Sequence, residues 1–184
     1  MANSPLQRIP RENLSETAQA AWDHLKKLTD EPTFVEVFAN APDMLDFVMN
    51  QFYAKIFFGG KVEQKYKQLA RLRLSQIHGC RTCNKQNVPG SIEAGITQEQ
   101  VEQLDNVDAG PFSAAEKAVI KFAEQMALTN HEGKLDDELY SELHAHFSDE
   151  EICELGSVMA VIGGFAKLAF VMDLVEREDY CPFN

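Results

Sequence analysis

Two cysteines separated by two residues, Cys80 and Cys83 in the stretch HGCRTCNKQN, are the side chains of this chain best suited to chemistry. Such a pair can grip a metal, close as a structural disulfide, or cycle between dithiol and disulfide. If Cys80 opens a helix after Gly79, Cys83 lies one turn on, both sulfurs share a face, and the unpaired amides of the first turn point at them. That setting favours a thiolate. An unperturbed thiol of pKa about 8.5 is only ~3% ionised at pH 7, and a two-unit depression raises this to roughly three quarters. Arg81 and Lys85 push the same way. They belong to a basic stretch from Lys55 to Lys85 with eight cationic residues against the single acid Glu63, in a chain whose net charge is −12. Such a stretch either pairs with acids elsewhere in the fold or surrounds the dithiol.

A closed metal site needs four ligands, and the remaining candidates are scattered. Cys153 and Cys181 are isolated, and His144 and His146 are two apart, which on a helix sends them to opposite sides. Neither a metal nor another cofactor is therefore expected. Cys153 follows Ile152 on an apolar stretch and reads as core, while Cys181 in DYCPFN reads as an incidental exposed thiol. His78 reads as a helix-end or surface histidine beside the pair rather than as a base.

The elements that must position the dithiol read as helices throughout. Leu14, Ala18, Ala21, Trp22, Leu25 and Leu28 recur at helical spacing over 13–28, after a proline-containing arm. A second helix is expected from Pro42 to Phe58, stopped by Gly59-Gly60, and a third from Lys61 to about His78, ended by Gly79. Three later starts carry reciprocal capping pairs: Thr97 with Gln100, Ser113 with Glu116 and Ser148 with Glu151. The segment after Ser113 has an amphipathic stripe, Leu135 to Phe147 a shorter helix, and Ser148 to Val175 a helix apolar nearly all round. The last should be central to the bundle or lie at a subunit interface.

The 184 residues, 45% of them hydrophobic, suit one compact domain: an extended arm over 1–12, a helical domain over 13–176 and a tail over 177–184. No alternating strand pattern and no glycine-rich phosphate loop appears, which argues against an α/β nucleotide enzyme. The acidic balance argues against nucleic-acid binding. Lys167, Asp173 and Gly163-Gly164 in the most apolar segment argue against a membrane span. The opening MANSPLQRIP has no apolar signal core, so a reducing cytoplasm is expected.

The run from Asn40 to Leu104, containing ARLRLSQIHGCRTCNKQNVPGSIEAG, resembles the core of the alkylhydroperoxidase D and carboxymuconolactone decarboxylase superfamily. Cys80, Cys83 and Gly95 fall on the positions of its Cys-x-x-Cys branch. The resemblance implies an all-α, single-domain helical bundle that assembles into trimers or hexamers. It also implies that Cys83 attacks a hydroperoxide, Cys80 resolves the resulting sulfenic acid, and an external dithiol or thiol restores the pair. Two positions depart from the pattern: Gln68 stands where the family has a glutamate, and Asn87 where it has a histidine. Each can hold a hydrogen bond but neither transfers a proton near neutral pH. Arg81 and Lys85 would then stabilise the thiolate, with Gln68, Asn87 and His78 as supporting residues. Pro89-Gly90 is expected to interrupt the helix after the dithiol. A redox-sensing or scaffold oligomer shares these motifs. The decarboxylase branch, for which Arg71 and Arg73 could bind a carboxylate, uses a histidine at the position of Asn87 and lacks the cysteine pair.

Overall fold

The computed structural model describes residues 2–183. Its helices are α1 (Glu16–Thr29), α2 (Thr33–Phe38), α3 (Pro42–Asp46), a wider π-helix (Phe47–Phe57), α4 (Gln64–Ile77), α5 (Arg81–Glu93), α6 (Gln98–Glu102), α7 (Ala114–Gln125), α8 (Asp137–His144) and α9 (Asp149–Val171). Among the described residues the only β pairing is a single antiparallel bridge between Cys80 and Arg177. The protein is an all-α, single-domain bundle, as the periodicity predicts.

Local chemistry sets the boundaries. All three reciprocal capping pairs form, so α6, α7 and α9 begin where Thr97, Ser113 and Ser148 satisfy otherwise unpaired first-turn amides. Ser15 and Asp136 cap α1 and α8 in the simpler one-way manner. The expected helix from Pro42 to Phe58 does form, with Pro42 in its first turn, but its larger part is π-helical. The bond from Phe58 N–H to Tyr53 C=O, at 2.8 Å, ends that wide spiral.

The centre of the bundle is α4, not α9. Helix α4 packs on α5, α7 and α9, and Lys67 through Leu72, Leu74 and Ser75 are all buried. Ala70 and Leu74 face a core shared with Val119, Phe122, Leu143, Leu155 and Met159, while Leu69 and Leu72 face a second one with Ile96, Leu104 and Ile120. Burial of its polar residues requires partners. Lys67, fully buried, donates to the carbonyls of Ile56 (2.7 Å) and Gly59 (2.5 Å) and pairs with Glu154 at 2.5 Å. One ammonium thus ties the π-helix exit and α9 to the central helix.

Helix α9 is long and apolar enough to cross a membrane by length and composition alone. Here it lies on the bundle, with Ile152, Leu155, Val158 and Met159 buried. Cys153, Ser157, Ala160, Gly164, Lys167 and Val171 form a continuous exposed stripe along its outer side. The expectation that Cys153 is a core residue is therefore corrected: it is exposed. Isoleucine 152, one position earlier, takes the inward direction instead.

Pro89 does not interrupt α5, which runs unbroken to Glu93. Proline removes the amide that would reach Lys85 C=O, yet the helix on either side is anchored. Ser91 Oγ donates to Asn87 C=O at 2.8 Å, and Ile96 N–H reaches Ser91 C=O at 3.0 Å. Gly90 has a packing role, since a Cβ there would stand 3.1 Å from Gln68 Nε2 on α4.

Candidate dithiol site

The turn from α4 into α5 builds the site. His78 closes α4, Gly79 takes φ +62°, and Cys80 is the N-cap of α5. Glycine is required at 79 for a second reason: a Cβ there would lie 2.6 Å from Cys181 Cα. Cys80 and Cys83 are joined as a disulfide with Cα atoms 5.2 Å apart, and Cys83 N–H donates to Cys80 Sγ at 3.2 Å. The shared helical face expected from the spacing is thus present.

The two sulfurs differ in access. Cys80 is 1% exposed, whereas Cys83 is only half-buried. The cover over Cys80 comes from the C-terminal segment. Glu178 N–H donates to Gly79 C=O (2.8 Å), Glu176 N–H to Thr82 Oγ1 (2.9 Å), and the Cys181 thiol to His78 C=O (3.1 Å). Cys181, expected to be an exposed thiol, is instead buried among the residues that surround Cys80.

Both cysteines line a cavity of about 850 Å³ between α1, the π-helix, α4, α5 and α9. Its walls are largely apolar, including Phe34, Met49, Phe52 and Phe165; Gln68, Arg71, Ser75, His78 and Asn87 supply polar groups. Gln68 and Asn87, the two departures from the family pattern, are buried and face this one space. Arg81 and Lys85 do not line it. Arg81 is held by Glu178 at 3.0 Å and Asp179 at 3.5 Å, and Lys85 is exposed, so the charges expected to favour a Cys83 thiolate are directed elsewhere.

His78 is at the helix end as expected but not at the surface, being 1% exposed. Its Nε2 accepts from Leu128 N–H at 3.0 Å, and its Nδ1 has no partner among the described residues. Burial pushes its pKa down to about 4, so the ring is neutral at pH 7 with its proton on Nδ1.

Most of the basic stretch pairs with acids from distant segments: Lys61 with Glu150, Lys65 with Glu116, Lys67 with Glu154, Arg73 with Glu124 and Arg81 with Glu178. Lys55 and Lys85 are exposed. Arg71 is the exception, buried and without a carboxylate partner among the described residues. Its Nη2 donates to Gln68 Oε1 at 2.7 Å, and its guanidinium lies 4.7 Å from the centre of the Phe57 ring. Tyr53, Phe57 and the aromatic walls were not singled out by sequence reasoning. The i, i+4 spacing of Tyr53 and Phe57 was a signal only if the helix they stand on was known to face α4.

This fold and this half-covered Cys-x-x-Cys define a helical dithiol protein. Residues 42–125, which carry the π-helix, the dithiol turn and α7, match the Carboxymuconolactone decarboxylase family. Over that segment the chain is similar to the Carboxymuconolactone decarboxylase family, in line with the resemblance its sequence carries. Its similarity to the uncharacterized protein YdfG of Bacillus subtilis (strain 168) is 23% identity over 139 residues, covering 75% of this chain and 92% of YdfG. Among solved structures it is similar to the debrominase Bmp8 in complex with 2,3,4-tribromopyrrole, with TM-score 0.74, 16% identity, and 96% and 93% of the two chains covered. It is similar too to the alkylhydroperoxidase AhpD core of an uncharacterized peroxidase-related protein from Ralstonia eutropha JMP134, with TM-score 0.71, 15% identity, and 96% and 95% covered.

Proposed function

We propose that this protein is a cytoplasmic, homo-oligomeric dithiol oxidoreductase that reduces organic hydroperoxides. The observation that carries the reading is a Cys-x-x-Cys pair, already bridged, that lines a largely apolar cavity with Cys83 as its more exposed member. Cys83, the accessible member, attacks the terminal peroxide oxygen as thiolate; the O–O bond breaks, the alcohol leaves with a proton, and Cys83 becomes a sulfenic acid. The Cys80 sulfur, favoured as thiolate by the Cys83 amide, displaces water from it and closes the disulfide. An external dithiol then returns two electrons and two protons.

A cavity of about 850 Å³ far exceeds the needs of hydrogen peroxide and supports an organic substrate. The complex of the similarly folded Bmp8 with 2,3,4-tribromopyrrole supports the same point. Gln68 and Asn87 cannot relay protons, so the reaction is expected to be slow, and Asn87 weighs against a lactone decarboxylase. The test is consumption of cumene hydroperoxide with dithiothreitol as donor. Turnover that vanishes in Cys83→Ser supports the reading. A wild-type rate no higher than that of Cys83→Ser transfers it to the second reading, a redox-sensing or scaffold oligomer. That alternative is favoured by the C-terminal segment, which packs over Cys80 and pairs with the dithiol turn.

A further inference from the structure

We infer that the dithiol cavity holds an organic anion, a carboxylate attached to an apolar body, with Arg71 as its anchor. As a statement of substrate class this rests on the reading above; as a statement of binding it does not. Arg71 is 7% exposed and lines the cavity, yet its Nε has no hydrogen-bond partner among the described residues. Its neighbours are neutral: Gln68 accepts from Nη2, Phe57 lies under the guanidinium, and Tyr53 stands beside it. A guanidinium does not shed its proton on burial, so the cavity wall carries a permanent charge with no carboxylate paired to it among the described residues.

The two acids that line the cavity, Glu31 and Glu93, are engaged elsewhere or exposed to solvent. The Glu31 carboxylate accepts from Thr33 and from the Ala2 amide. Glu93 lines the cavity one turn beyond Gly90 on α5, but it is exposed, and no ion pair joins either acid to Arg71 among the described residues. The other cations around the dithiol have partners or solvent; this one has a cavity. That is the arrangement left when a ligand supplies the counter-charge.

The placement sets the dimension of the ligand. Arg71 Nη2 is 3.5 Å from where a Cβ on Gly90 would stand, and Gly90 is seven residues, about 10 Å along α5, from Cys83. An anion held on Arg71 therefore extends an apolar body past Asn87 toward the accessible sulfur. One aromatic ring, or a chain of roughly six to eight carbons, covers that span.

The experiment uses the oxidised wild-type protein, in which no turnover occurs, and compares 4-isopropylbenzoate with its methyl ester by titration calorimetry. The carboxylate is expected to bind about tenfold to a hundredfold more tightly, the range of a charge-assisted hydrogen bond. Arg71→Gln should abolish that preference and leave ester affinity unchanged; Arg71→Lys should keep part of it. Gln68→Glu should abolish it too, because the new carboxylate occupies the guanidinium, and this variant decides the matter if Arg71→Gln does not fold. Equal affinity for acid and ester in the wild type, no binding of either at millimolar concentration, or a preference that survives in Gln68→Glu or in folded Arg71→Gln overturns the inference. Reduction of 4-(2-hydroperoxypropan-2-yl)benzoate separates the two claims. Acid-selective binding without Cys83-dependent turnover keeps the anion site and removes the hydroperoxide reading.

Discussion

Gln68 Oε1 accepts from Arg71 Nη2 at 2.7 Å, so a buried cation meets a neutral amide at the position where the resembling family has a glutamate. A carboxylate there would be held ionised by the guanidinium beside it, despite burial. Gln68→Glu should accordingly raise stability by about 1–3 kcal/mol, read as a higher melting temperature. Combined with Asn87→His, one turn from Cys83, it should raise the rate constant for peroxide reduction about tenfold or more, with each single change doing less. Stopped-flow peroxide consumption checks this, and an unchanged rate in a stable double variant counts against a proton relay through these positions.

Thiol access should follow burial. In the reduced protein, Cys83 and Cys153 should be alkylated near neutral pH, while Cys80 and Cys181 stay protected until the chain unfolds. Mild oxidant should restore the Cys80–Cys83 bridge before any other. Peptide mapping after timed labelling reads both; early labelling of Cys181 would show that the C-terminal segment leaves the dithiol.

His78 makes stability depend on pH. Its folded pKa is lowered to about 4 from 6.5, so between these values the unfolded chain binds more protons than the folded one. The contribution is full above pH 6.5 and is lost as pH falls toward 4, amounting to about 3 kcal/mol. Urea titrations at pH 7, 6 and 5 should show this slope. His78→Gln, which retains an acceptor for Leu128 N–H, should flatten it.

Gly164 sits in the exposed stripe of α9 with nothing within 4 Å of a Cβ built on it. Gly164→Leu is therefore harmless within one chain and should act only on contacts between chains. If α9 joins subunits through its small residues, light scattering should show an oligomer in the wild type and a smaller species in this variant. A wild-type monomer would exclude the assembly.

Helix starts, the shared face of Cys80 and Cys83 and the all-helical class were legible because each rests on residues within one or two turns of one another. Thr97, Ser113 and Ser148 satisfy amides three positions on, and no distant segment can change that. The motif around the dithiol was legible for the same reason, being contiguous.

Burial was legible only where polarity and position agree. Helix α4 carries Lys67, Gln68, Arg71 and Ser75 and yet forms the centre, whereas the more apolar α9 keeps an outer stripe exposed. The reason lies in partners brought from far along the chain. Glu154 and the Gly59 carbonyl neutralise Lys67, and residues 176–181 fold back over Cys80. Sequence alone determined that a Cys-x-x-Cys heads a helix in an acidic, all-helical protein with a basic stretch about it. Tertiary structure decided which of those cations found an acid, and it left Arg71 facing the cavity without one, because the pairing of a buried charge depends on long-range contacts that no local spacing records.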